Sequence, residues 1–221
     1  IKYENNDAPV ELSNNQLFKP LVCDLASEDE VYKSMNIIQK EAQSIDALIA
    51  CAGILRLGEL SQMSIKDFDL IFNVNVRGLW LSVSQSMPML KNASKISGTA
   101  RIVLLSSVSA LRPKINSGAY SASKAAVSQL TRVLAVECAK DNILVNAIAP
   151  GTVDTPMVRE QSSPDKQGNW RPSGPSPLGR ISNPVDIVKV IKFLLDDNSS
   201  YVTGTTIPVD GGTQAAFIPP I

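Results

Sequence analysis

The 221-residue chain contains no histidine. That absence excludes a Ser-His-Asp hydrolase, a Cys-His protease and any histidine-ligated metal site. Net charge is also absent, because 21 Lys and Arg balance 21 Asp and Glu. A nucleic-acid binder usually carries a basic excess, so no nucleic-acid partner is expected. No apolar run approaches the about 20 residues that span a bilayer, so no membrane partner is expected. Cysteine is scarce. Cys23, Cys51 and Cys138 are odd in number, far apart and set in apolar segments. They read as free buried thiols in the cytoplasm or another reducing compartment rather than as disulfides. No pair has metal-ligand spacing, so no metal is expected. Glycine is missing from the whole stretch before Asp24.

Against these absences, hydrophobic residues make up 44% of the chain, an ordinary share for a globular protein. The length fits one domain over residues 1–221 with a sizeable core. Residues 18–25, "FKPLVCDL", read as a short strand ending in Asp24. Residues 27–42 open with a serine cap and an acidic first turn, then show helical periodicity. The apolar runs 46–53, 100–107 and 142–151 suit buried parallel strands, and 205–212 reads as a last strand and turn. Helices are expected at 64–90 (as one or two), 119–140 and 183–197. Strands alternating with helices predict a doubly wound parallel sheet covered on both faces, an α/β fold of the Rossmann type. Such sheets bind ligands outside the carboxyl ends of their strands. Residues 152–180 carry Pro, Gly, Ser and charge with little periodicity, and read as a substrate loop or a tolerated surface insertion.

Within "SGAYSASKAAVSQL", Tyr120 and Lys124 lie four residues apart on one helical face. An ammonium beside a phenol favours the phenolate and lowers the tyrosine pKa. The same spacing is also met in pairs that are simply solvated. Ser107 ends the preceding strand, so it can reach the same sheet edge as Tyr120. Asn75, in "NVNVRG", sits in a helix interior, where propensity disfavours it. It has either a functional task or a buried hydrogen bond. A hydroxyl, a phenol, an ammonium and an amide together suit proton transfer to or from a carbonyl oxygen, with a cofactor supplying hydride.

In order along residues 18–213, "CDLAS", "CAG", "NVNVRG", "LLSSVSA", "YSASK", "NAIAPGTVDTPM", "PLGRISNPVDI" and "YVTGTTIPVDGG" resemble the motifs of the short-chain dehydrogenase/reductase superfamily. The resemblance implies an oxidoreductase that interconverts a secondary alcohol and a ketone with NAD(H) or NADP(H). It makes Tyr120 the general acid and base. It gives Lys124 the tuning of that phenol and the nicotinamide ribose, Ser107 the substrate oxygen, and Asn75 a relay water. Asp24 and Leu25 would meet the adenine, Ala52 and Gly53 the adenosine side. Pro150, Gly151, Val153 and Thr155 would hold the carboxamide. A homotetramer or homodimer is implied too. Other readings stand beside these. Asp24 also reads as a cap for the next helix, and Ser107 as a plain strand-end serine. Arg180 and Asp210 read better as structural contacts. Cys51 takes a place where the family often has Asn, and reads as a tolerated small residue. Arg112, Lys114 and Trp170 are candidates for substrate contact or simple surface residues.

The family opens with a strand, a TGxxxGxG turn and a helix, then a second strand, and nothing of that kind precedes Asp24. Such a turn sets backbone N–H groups and a helix N-terminus against a pyrophosphate. The expectation is a missing natural N-terminal segment. The alternative is a shortened, non-catalytic homologue acting as a binding or scaffold subunit. Titration calorimetry with each dinucleotide is expected to show weak binding to the 221-residue chain and binding tighter by orders of magnitude once such a segment is added. Micromolar binding by the shorter chain would overturn this.

Overall fold

The computed structural model describes residues 18–160 and 176–216. Ser27 caps helix α1 (Glu28–Glu41), accepting a hydrogen bond from the Glu30 N–H. Strand β1 is Ala47–Ala50. Helix α2 (Ile65–Phe72) runs through a π-helical turn, Asn73–Gly78, into α3 (Leu79–Ser97). Strand β2 (Ala100–Leu105) precedes helix α4 (Gly118–Cys138), and strand β3 spans Ile143–Pro150. A short helix α5 (Pro156–Glu160), helix α6 (Pro184–Leu195) and strand β4 (Thr206–Val209) complete the order.

The sheet has four strands among the described residues, in the order β1-β2-β3-β4, all parallel. Parallel pairing requires crossovers, and crossovers cover the faces. On one face, Leu79, Val83 and Leu90 of α3 and Val127 of α4 pack on Ile102, Leu104 and Val145. On the other, Ile187, Ile191 and Leu194 of α6 pack on Val103 and Ile148. The alternation of Ile102, Val103 and Leu104 between these clusters is the two-residue period of a strand buried on both sides. A third cluster, Ile54, Ile71, Val74 and Ala119, lies where α2 and its π turn meet the start of α4.

Two expectations are corrected. Residues 18–25 form no strand, and Leu21 and Val22 are exposed. A strand exists only through a ladder partner, and no described segment pairs there. For the same reason β1 is an edge strand rather than a buried one, with Ile49 exposed on its outer face. The segment expected as a substrate loop holds α5 at its start, and its residues 161–175 lie outside the described residues, Trp170 with them. No helix among the described residues is long and apolar enough to cross a membrane.

Gly78, at the end of the π turn, lets the backbone of Leu25 pass against α3. A Cβ there would stand 2.3 Å from the Leu25 carbonyl oxygen. Gly78→Ala is expected to destabilise the protein by about 1–3 kcal/mol, the usual cost of overpacking. Urea unfolding measures it, and an unshifted midpoint would show that the Leu25 segment yields freely.

Candidate active site

The carboxyl ends of β1, β2 and β3 deliver three short segments to one edge of the sheet. After β1 comes Cys51–Ala52–Gly53–Ile54, after β2 Ser106–Ser107, and after β3 Gly151–Thr155. Helix α4 starts at the same edge and carries Tyr120 and Lys124 in its first two turns.

Asn75 is wholly buried in the π turn. Its Oδ1 accepts from the Ile54 N–H at 2.8 Å, and its Nδ2 donates to the Ile54 carbonyl at 3.0 Å. The amide therefore pairs with Ile54 as a neighbouring strand would. Its Nδ2 also donates to Ser123 Oγ at 3.0 Å, and Ser123 Oγ donates to the Tyr120 carbonyl at 2.7 Å. A π turn adds a residue to the helical circuit and is often found at functional sites. Here it turns Asn75 inward, against both the segment after β1 and the first turn of α4.

Lys124 is almost fully buried, and its Nζ donates to the Leu105 carbonyl at 2.8 Å. Its own carbonyl accepts from Ser106 Oγ at 2.9 Å and from Ser128 Oγ at 3.3 Å, and the two serines are 2.8 Å apart. A Cβ on Gly53 would stand 3.2 Å from Lys124 Nζ and 3.3 Å from Asn75 Oδ1, so a side chain there would crowd both. Burial pulls the Lys124 pKa down to about 8, with Cys51 acting in the other direction. Cys51 is exposed rather than buried as expected. Its thiol stands near the same amine; local desolvation pushes its pKa up against the pull of Lys124.

The Ser107 side chain faces the Tyr120 phenol closely enough to lower its pKa. Lys124 Nζ lies 5.9 Å from the centre of the Tyr120 ring. The direction of the Tyr120 shift differs from the expected lowering. Burial raises its pKa, and only Ser107 works the other way. The reason is visible in the geometry: the ammonium is directed to the Leu105 carbonyl.

The remaining candidates have structural partners of their own. Asp24 Oδ1 accepts from the Ala26 N–H at 2.9 Å, turning the chain into α1. Leu25 abuts Gly78, which brings both residues beside the π turn. Pro150 closes β3, and the Gly151 N–H donates to the Val209 carbonyl. Val153 forms a bridge with Ser182, and Thr155 leads into α5. Ala52 is exposed at the sheet edge. Arg180 pairs with both oxygens of Asp186, and Asp210 accepts from the Gly212 and Gln214 N–H groups, the structural contacts expected for them. Ser106 stood out by sequence only as a strand-end residue beside Ser107, and Ser123 and Ser128 were not singled out. The small-residue stretch "SASKAAVS" was the signal available, since close approach of α4 to the strand ends needs such residues.

A family model described as enoyl-(acyl carrier protein) reductase matches residues 4–214. The 3-oxoacyl-[acyl-carrier-protein] reductase of Thermotoga maritima is 35% identical over 215 residues, covering 96% of this chain and 84% of its own length. This chain belongs to the short-chain dehydrogenase/reductase family. A cyclopentanol dehydrogenase of Comamonas is 34% identical over 192 residues, 87% of this chain and 75% of that protein. The crystal structure of a 3-ketoacyl-(acyl-carrier-protein) reductase from Brucella melitensis, complexed with NADH, superposes with a TM-score of 0.76 at 27% identity. It matches 88% of this chain and 77% of that one. The parallel sheet with helices on both faces is thus the Rossmann-like fold of short-chain dehydrogenases/reductases, and the chain is an oxidoreductase of that family.

The depressed pKa of Lys124 predicts a pH-dependent stability. Below about 8 the amine is charged in both states, and the fold bears the full cost of burying it. Between about 8 and the unfolded value of 10.5 the folded amine becomes neutral first, and that cost fades as pH rises. Lys124→Met is therefore expected to raise stability at neutral pH by up to about 3 kcal/mol. The gap between the two proteins should close across that window, as followed by denaturant titration. A gap that is constant with pH would show that the buried amine costs nothing.

Proposed function

We propose that this short-chain dehydrogenase/reductase interconverts a secondary alcohol and a ketone with NAD(H) or NADP(H). The observation that carries the reading is the buried Lys124 amine, 5.9 Å from the centre of the Tyr120 ring and one helical turn behind it, with Ser107 facing the phenol at the sheet edge. The names of the relatives point the same way. One is a reductase of an oxo group and another a dehydrogenase of a cyclic alcohol.

The donor set suits the nicotinamide half of a dinucleotide. Lys124 Nζ and the Tyr120 hydroxyl would hold ribose hydroxyls, with Ala52 and Gly53 leaving room alongside. The Pro150–Thr155 segment, with Gly151 and Val153, would hold the carboxamide, and Asp24 and Leu25 the adenine side. The bound cofactor supplies a hydride to the carbonyl carbon, or accepts one from the carbinol carbon. Ser107 Oγ holds the substrate oxygen. In reduction Tyr120 gives that oxygen its phenolic proton, and the nearby Lys124 ammonium stabilises the phenolate left behind. Swinging Lys124 from the Leu105 carbonyl towards ribose and phenol would lower the Tyr120 pKa, which burial alone holds high. Asn75, with Ile54 and Ser123 held, fixes the floor beneath that amine and is the proposed relay to it. The exposed Trp80, Val133 and Val136 on α3 and α4 are the proposed contacts of a homo-oligomer.

Tyr120→Phe removes only a hydroxyl. It is expected to lower turnover of a ketone substrate about 10²–10⁴-fold with the melting temperature little changed. A variant keeping more than a tenth of wild-type activity, measured by dinucleotide absorbance, would remove Tyr120 from the proton transfer.

A further inference from the structure

Directly after Ser107, Val108 opens onto a cavity of about 610 Å³ whose lining, Thr152 apart, lies outside the proposed proton-transfer and cofactor contacts. Val108, directly after Ser107, and Thr152, directly after Gly151, are in its wall. Four cations from three separate parts of the chain line it: Arg112 and Lys114 from the segment after β2, Arg180 from the segment before α6, and Lys189 from α6 itself. Two acids line it as well. Both are committed: Asp186 to Arg180 and the Asn183 N–H, and Asp210 to the Gly212 and Gln214 N–H groups. Arg112 and Lys189 are the cations of this lining to which neither acid is hydrogen-bonded.

Arg112 is held in place from behind. One of its nitrogens donates to the carbonyls of Thr213 and Ala216 at 2.6 and 3.1 Å. That fixes a guanidinium whose other N–H groups remain for a ligand. Lys114 is crowded by the same guanidinium and by burial, and both depress its pKa. Like charges gathered in a concave site gain from an anion that neutralises them. Lys189 acts on Asp186 only through space. Leu178, Ile181, Val190 and Val209 add apolar wall between the hydroxyls of Thr152, Ser176, Ser182 and Thr213. A cavity of this kind fits an acidic group on an apolar body.

We propose that this cavity binds the carboxylate of the substrate, so that the protein acts on keto acids and, in the reverse direction, on hydroxy acids. The assignment rests on the alcohol–ketone reading of the adjoining site. Arg112 and Lys189 would meet the carboxylate, while the carbonyl at the other end of the molecule reaches Ser107 and Tyr120.

The test compares methyl-ketone carboxylic acids of graded chain length with their methyl esters, using the protein with each dinucleotide. For at least one chain length the acid is expected to be preferred by about tenfold or more in kcat/KM. Lys189→Glu, on the exposed side of α6, is expected to cut that preference about tenfold, and Arg112→Gln to do the same where the C-terminal turn tolerates it. Inorganic phosphate is expected to inhibit turnover of the acid competitively. Acids and esters turned over alike, or a preference untouched by Lys189→Glu, would overturn the proposal. Calorimetric titration with phosphate and with succinate separates the remaining cases. Phosphate binding that is lost in Lys189→Glu, without any acid preference in turnover, would mark a site for a free anion and overturn the substrate assignment. If neither acid nor ester is turned over while other ketones are, the substrate assignment fails; if no ketone of any kind is turned over even with saturating dinucleotide, the alcohol–ketone reading fails by itself. Succinate binding lost in Lys189→Glu would then still support a carboxylate site, and absence of binding would overturn it.

Discussion

The candidate site is organised around one amine that the fold keeps away from water. Lys124 lies on an interior turn of α4, with its ammonium against a backbone carbonyl rather than a carboxylate. A neutral oxygen compensates a buried charge only in part, which is why the pKa falls. The surrounding polar groups fix the helix that bears the lysine. Ser106 and Ser128 hold its carbonyl, and Asn75 and Ser123 hold the turn ahead of it. A site of this kind is poised for an incoming group that offers the amine a better partner.

Those polar groups cost little because nearly all are paired within the protein. Asn75 uses both ends of its amide on Ile54, the segment after β1. An edge strand ends there, and an amide does part of the work that a ladder neighbour does elsewhere in the sheet. The apolar cluster of Ile54, Ile71, Val74 and Ala119 lies beneath it, so the polar floor and the packing that supports it share the same elements. Charge is kept off this floor. It gathers instead in the neighbouring cavity, where Arg112 and Arg180 are each anchored by their own partners.

Much of this was legible in the sequence. β2, β3, α4 and α6 lie within about two residues of the expected bounds, because each is a long apolar run or a periodic stretch with clear ends. Tyr120, Lys124, Ser107 and Asn75 were found from spacing and motif, and the fold places them at one sheet edge. The strand expected at 18–25 failed because a short apolar stretch says nothing about whether a neighbour exists to pair with. The serines around Lys124 were not legible for a related reason. A serine in a helix is ordinary, and only the approach of α4 to the end of β2 sets Ser128 against Ser106, and only the π turn sets Ser123 against Asn75. The sign of the Tyr120 shift was missed because it depends on where a flexible amine points, which four-residue spacing does not determine.

The π turn at Asn73–Gly78 has a consequence for how this segment is inherited. Its extra residue is absorbed within one circuit of the helix, so deleting one residue there would restore a uniform α-helix with α2 and α3 still in phase. Leu79, Val83 and Leu90 would stay on the sheet, and Ile71 in its own cluster. What would go is the wide circuit that turns Asn75 towards Ile54 and Ser123. The added residue therefore serves the polar floor of the site rather than the packing of the helix, and it is lost without harm to the core only in a descendant that no longer needs that floor.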